Sequence, residues 1–220
     1  MTEEAESEER DYLQWHDAYD DPGSDLSRRL RVVQGLIRDR LDATTGPIRV
    51  LSVCSGDGRD ILDVLAERSD RERVSGVLLE LHDGVAERAR QRIDEIGLAD
   101  RFEVRTVDAG LTDSFIDAVP ADIVLLVGIF GNIHPPEIKA FIDTLPQLSR
   151  PGALVLWTRG RSVPLGGGRT SEVAGWVWEA GCAELSITAP ADAQFVVGAA
   201  EFRGVPEPLR PGRRLFTFFR

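Results

Sequence analysis

From Ile48 to Thr158 the chain alternates short runs of branched apolar residues with segments of helical period, and few architectures accommodate that pattern. IRVLSV at 48–53, VSGVLLE at 74–80, FEVRTV at 102–107, ADIVLLVGIF from 121 and ALVLWT at 153–158 read as strands, most of them apolar enough to be buried on both faces. Between them Ile61, Leu62 and Leu65, then Val85, Ala89, Ile93 and Ile96, then Ile138, Phe141, Ile142 and Leu145 recur at helical spacing, and a short helix is expected near 113–118. Strand and helix repeated in this way form the crossover units of a parallel sheet. Past a glycine-rich RSVPLGGGR loop, a helix is expected with Val173, Val177 and Trp178. ELSIT, FVVGAAEF and RLFTFF then follow too closely for crossover helices between all of them, so an antiparallel end to the sheet is expected. The fold class is α/β.

Charge is distributed unevenly. The formal charge is −11, yet residues 1–25 hold ten acids and one base, leaving −2 for the remainder. Residues 1–11 are acidic and nearly devoid of apolar side chains, which predicts a disordered tail. Residues 12–47 read as a helical cap. Tyr12, Leu13, Trp15 and Tyr19 in it either cover the edge of the core or line a pocket. Ser24 is placed to cap a helix whose stripe is Leu26, Leu30, Val33, Ile37 and Leu41. Residues 48–220 make the main domain. Its balanced charge argues against an extensive nucleic-acid surface, which needs concentrated Lys and Arg. Two cysteines, no secretory leader pattern and no apolar run of about 20 residues suggest a cytoplasmic protein without a membrane span.

The segment VLSVCSGDGRDI carries the chemistry. Here the first strand runs into Gly56-Asp57-Gly58 and then a helix, a turn at which backbone N–H groups approach a ligand closely. Glu80 ends the second strand, 22 residues after Gly58, where a carboxylate accepts hydrogen bonds from a ribose diol. Asp108 ends the third and is placed to receive an adenine amino group. An ordinary cap or tight turn is the structural alternative for each. Together they point to an adenosine cofactor at the carboxyl edge of the sheet. A phosphate-binding loop with Lys is absent, and Ile61 stands where a dinucleotide fold would place its third glycine, which disfavours NAD.

In these residues the sequence resembles the class I S-adenosylmethionine-dependent methyltransferases, especially small bacterial members with a Cys/Ala-Ser/Gly-Gly-x-Gly-Arg-Asp first loop and a Val-Pro-Ala-Asp lead-in to the fourth strand. The resemblance spans roughly residues 48–220. It implies a Rossmann-like, mostly parallel seven-stranded sheet with an antiparallel C-terminal strand. It also implies S-adenosylmethionine as cofactor, touched by Val53, Cys54, Ser55, Gly56 and Gly58. Glu80 would hold the ribose with Leu81 beside adenine, Asp108 and Ala109 would flank the adenine, and Gly128, Ile129 and Phe130 would line the cofactor and open the substrate side. The acid usual in the first strand is replaced by Ser52 or Ser55, which leaves Asp57 or Asp60 to meet the methionine ammonium.

Methyl transfer from a sulfonium needs alignment first and a base only for some acceptors, so no catalytic residue is named. Trp15, His16 and Tyr19 in the N-terminal segment, which methyltransferases of this fold often use as a lid, and Asn132 and His134 after the fourth strand are the substrate-pocket candidates. Helix capping or packing is the alternative for each. His82 is expected to border the adenine pocket. Arg159, Arg161 and Arg169 are either solvent-exposed or anion-binding. The three histidines show no metal-ligand spacing. The leading expectation is methyl transfer to a small-molecule nucleophile. A catalytically silent cofactor-binding or interaction domain is the alternative, and a NAD-dependent oxidoreductase a more distant one.

Overall fold

A computed structural model describes Tyr19, residues 21–161 and residues 170–218 of the chain. Seven strands form one sheet: β1 (Ile48–Val53), β2 (Val74–Glu80), β3 (Phe102–Thr106), β4 (Ala121–Leu126), β5 (Ser149–Gly160), β6 (Cys182–Thr188) and β7 (Phe195–Phe202). Their order is β3-β2-β1-β4-β5-β7-β6. β1 pairs in parallel with β2 and β4, β2 with β3, and β4 with β5, whereas β7 is antiparallel to both β5 and β6. This is the seven-stranded Rossmann-like arrangement that the resemblance implied, antiparallel strand included.

Two helical layers cover the sheet. On one face lie α1 (Asp25–Ala43), α2 (Arg59–Ala66) and α3 (Asp83–Glu95). Their Val33, Ile37, Leu41, Ile61, Leu65, Ala89 and Ile93 pack on Val50, Leu78, Leu125 and Leu156. On the other lie α4 (Pro135–Ile142), α5 (Leu145–Leu148) and α6 (Thr170–Glu179). There Phe141, Leu145, Val173 and Val177 pack on Leu51, Val124, Val155 and Trp157. Successive residues of β1, β4 and β5 thus divide between the two cores, as strands buried on both faces must. Full burial of each such side chain contributes on the order of 1.5–3 kcal/mol before conformational entropy is subtracted.

Several local choices follow directly from sequence. Ser24 caps α1, its Oγ accepting from the Ser27 N–H at 3.1 Å. The helix expected to run from Ile138 through Leu145 is instead two, because Pro146 has no N–H to donate back to Ile142 and its ring crowds the preceding turn. The expected helix near 113–118 is a 3₁₀ turn at Thr112–Phe115.

RLFTFF is not a strand. Its described part, residues 214–218, makes one isolated bridge, Leu111 to Arg214, and no ladder. The segment instead straps across the loop after β3. Leu215 N–H donates to Gly110 O at 2.8 Å, Thr217 N–H to Glu137 Oε1 at 3.2 Å, and Phe216 packs on Phe141 with ring centroids 5.1 Å apart.

Candidate functional site

At the carboxyl edge of the sheet, the loop leaving β1 turns sharply into α2. Cys54, Gly56 and Gly58 all have positive φ (51°, 57° and 75°), and a non-glycine residue in that region is uncommon. Ser55 N–H donates to Leu79 O at 2.8 Å and Gly58 N–H to Ser55 O at 3.1 Å, which stitches the loop to β2. Gly58 begins α2. A Cβ there would fall 2.7 Å from Leu62 Cδ1 and 2.9 Å from Leu78 Cδ1, so its glycine is demanded by helix-on-sheet packing as well as by φ. Val53 is buried in the core and Cys54 is half-buried. Burial pushes the Cys54 thiol well above its ordinary pKa, reinforced by the nearby charges of Glu80 and Asp108.

Glu80 is 3% exposed and turned into this loop. Its Oε2 accepts from Gly56 N–H at 2.9 Å, and its Oε1 from the N–H groups of Leu81 and His82, each at 2.9 Å. Three of roughly four acceptor positions of the carboxylate are thereby used. Leu81 projects outward, 55% exposed, and His82 occupies the N-cap position of α3. Asp108 follows β3: its Oδ1 accepts from Gly110 N–H at 2.8 Å and its Oδ2 pairs with Arg214 at 3.0 Å, while Ala109 is buried. The two acids therefore stand at adjacent strand ends, and each also organises its own loop.

The two carboxylates of the glycine loop differ. Asp57, 4% exposed, is paired with Arg59 through Nε–Oδ1 (2.9 Å) and Nη2–Oδ2 (2.6 Å), with Arg92 at 3.7 Å. Asp60, in the first turn of α2, is half-buried. Burial raises its pKa to about 6 against the downward pull of Arg29, with Asp57 adding to the rise. Arg29 reaches in from α1. Its Nη2 donates to Tyr19 Oη at 2.9 Å and would lie 3.8 Å from a Cβ on Gly128, while its Nε is buried without a hydrogen-bond partner. The Tyr19 ring also receives the Arg59 guanidinium at 4.3 Å from its centroid. Tyr19, Arg29, Arg59 and Asp60 thus make one cluster beside the β1 and β4 ends.

No motif marks Arg29, but its spacing does: residue 29 lies three after Leu26 and four before Val33, on the inward stripe of α1.

After β4, Gly128 (φ 79°) donates its N–H to Thr158 Oγ1 at 2.8 Å, tying this loop to the end of β5. The Phe130 ring is fully buried, edge-on to Phe141 with centroids 6.4 Å apart, so it packs in the core while its carbonyl faces β5. Asn132 Nδ2 donates to Gly128 O at 3.4 Å. His134 is exposed and holds the N-cap position of α4, before Pro135. Arg159 is buried and donates to Phe130 O, whereas Arg161 is exposed and donates to Ala189 O. Trp15, His16 and Arg169 lie outside the described residues. Among those residues no cluster of His, Cys, Asp or Glu has metal-binding geometry, and no helix is long and apolar enough to cross a membrane. A groove lined by Pro47, Arg49, Gly76 and Arg101 lies at the opposite, amino edge of the sheet, away from these groups.

No family model and no curated protein matches the sequence. Solved structures do match the fold. An O-methyltransferase family protein from Burkholderia thailandensis superposes with a TM-score of 0.62 at 18% identity, over 82% of this chain and 57% of that one. A possible exported protein from Bordetella parapertussis gives 0.61 at 14% identity, over 79% and 68%. The CurJ carbon methyltransferase gives 0.61 at 12% identity, over 80% and 54%. The chain spans little more than half the length of the two methyltransferases. At these identities the likeness defines the fold, which is that of the class I S-adenosylmethionine-dependent methyltransferases.

Proposed function

We propose that the chain transfers a methyl group from S-adenosylmethionine to a nucleophile on a small molecule. One observation carries the reading: a left-handed turn at the end of β1 is closed against a buried acid at the end of β2 through Gly56 N–H and Glu80 Oε2, at 2.9 Å. That juxtaposition gives an adenosine site its glycine turn and its ribose acid. Glu80 retains acceptor capacity on Oε2 for a ribose hydroxyl, the exposed Leu81 offers an apolar surface for adenine, and Asp108 lies at the neighbouring strand end.

The methionine end has a cradle of its own. Asp57 is engaged by two arginines, so Asp60 is the acid left for an ammonium, and Arg29 brings a buried, unpartnered Nε for a carboxylate. Bound S-adenosylmethionine supplies an electrophilic methyl group on a sulfonium, so the protein's task is to orient an acceptor and exclude water. Asn132 and His134 on the loop after β4, and Tyr19 with the preceding Trp15 and His16, are the residues we assign to the acceptor side. The two named methyltransferase neighbours differ in acceptor atom, one belonging to an O-methyltransferase family and the other being a carbon methyltransferase, and neither choice is carried over. A cytoplasmic location fits a metabolite acceptor.

Calorimetry with S-adenosylmethionine and S-adenosylhomocysteine, followed by a labelled-methyl screen against small molecules, tests the proposal. Binding of both with transfer to an acceptor is expected. Binding without transfer would favour a catalytically silent domain, and binding of neither would remove the adenosine site altogether.

A further inference from the structure

We propose that Arg159 is the anchor for a carboxylate on the methyl acceptor, an inference that rests on the methyltransferase reading and gives its substrate a chemical class. Arg159 is the penultimate residue of β5, at the carboxyl edge of the sheet, and it is only 4% exposed. It lies on the same face of the strand as Trp157, toward α4 and α6. Its Nη1 donates to Phe130 O at 3.1 Å, which fixes the guanidinium against the loop after β4. Its Nη2 is buried and meets no acceptor among the described residues. A guanidinium fixed through Nη1 and left with a buried, unpaired Nη2 is suited to an anionic oxygen.

The surroundings set the charge of that anion. Burial disfavours the Arg159 cation and lowers its pKa, with the exposed Glu172 on α6 acting in the opposite direction. Guanidinium stays protonated in proteins, so the missing solvation calls for an anionic partner rather than loss of the proton. One guanidinium already in the field of one carboxylate suits a monoanion better than a phosphate dianion. Position separates Arg159 from the cofactor. Arg29 approaches the 128–130 loop from the α1 face beside Asp60, whereas Arg159 approaches from the α4 and α6 face, beyond the β4 end. The methionine carboxylate goes to the first and the acceptor carboxylate to the second.

Ligand-observed NMR on the full chain saturated with S-adenosylhomocysteine tests this with benzoate and its neutral isostere benzamide as probes. Wild-type protein is expected to prefer benzoate by about tenfold or more, the size of one charge-assisted contact. Arg159→Gln should erase the preference while S-adenosylhomocysteine affinity stays within about twofold, and Arg159→Lys should restore part of it. Equal binding of benzoate and benzamide by wild-type protein would overturn the proposal without touching the cofactor site. So would a Gln variant that keeps the preference, or one whose S-adenosylhomocysteine affinity falls with it. Failure of S-adenosylhomocysteine to bind wild-type protein would instead overturn the methyltransferase reading, and this inference with it. The wild-type comparison decides the matter even if the variants misfold.

Discussion

The N–H of Gly56 donates to Oε2 of Glu80, so the acid assigned to the cofactor ribose also closes the glycine turn after β1. Replacing Glu80 by alanine leaves three buried or part-buried N–H groups, those of Gly56, Leu81 and His82, without their acceptor. The expected cost is roughly 2–3 kcal/mol of stability, read from urea denaturation, together with at least tenfold weaker S-adenosylhomocysteine binding. A variant as stable as the wild type would show that the loop does not depend on this carboxylate.

Asp60 gives the site a pH signature. Its folded pKa of about 6 lies above the ordinary carboxylate value, so between about pH 4 and 6 the folded chain holds a proton that the unfolded chain has released. The stability linked to protonated Asp60 is complete below about pH 4 and is lost as pH rises through 6. An ammonium needs the ionised acid, so ligand affinity should run the other way, rising about tenfold from pH 5 to pH 7. Calorimetry across that range is expected to show the rise in wild-type protein and a flat profile in Asp60→Asn. A flat wild-type profile would contradict the assignment.

Arg29 is coupled to this titration because its charge lowers the Asp60 pKa. Arg29→Met should move the affinity midpoint above 6 and weaken S-adenosylhomocysteine about tenfold or more, through the lost carboxylate partner. Tyr19→Phe, which removes only the hydroxyl that accepts from Arg29 Nη2, should shift neither by more than a few-fold. A midpoint unchanged in Arg29→Met would separate the two residues.

Much of this arrangement was legible in the sequence, and the failures have identifiable causes. β1, β2 and β7 run between the residues their apolar patterns indicated, because buried strands leave continuous branched runs. The position of Glu80 at the end of β2 follows from the strand pattern. Its inward turn toward Gly56 N–H does not, since one carboxylate position serves a ligand and a loop equally well in sequence. Arg159 and Arg161 look alike in a basic stretch, yet the first is buried and the second exposed. Both have the same parity, so strand alternation does not separate them; Arg161 differs because it lies beyond Gly160, the last residue of β5. RLFTFF has strand composition, but its position is decided by contact with the loop after β3 and with Phe141, at long sequence separation.

That C-terminal strap makes its own prediction. A Cβ at Gly110 would sit 2.3 Å from Phe216 O, a backbone atom that cannot yield without moving the strap. Gly110→Ala should therefore destabilise the protein by roughly 1–3 kcal/mol through overpacking, and disturb Asp108, which accepts from Gly110 N–H. Gly35, within α1, has nothing within 4 Å of a Cβ, so Gly35→Ala should stabilise by about 0.5–1 kcal/mol. Similar melting temperatures for the two variants would argue against a packed strap.

An adenosine site at the carboxyl ends of β1, β2 and β3 is tested most directly by titration of S-adenosylhomocysteine into the folded chain. Saturable one-to-one binding is expected, weakened about tenfold or more in Glu80→Ala and Asp60→Asn and not reproduced by NAD. Absence of measurable heat with wild-type protein, at ligand concentrations up to the millimolar range, would contradict the assignment.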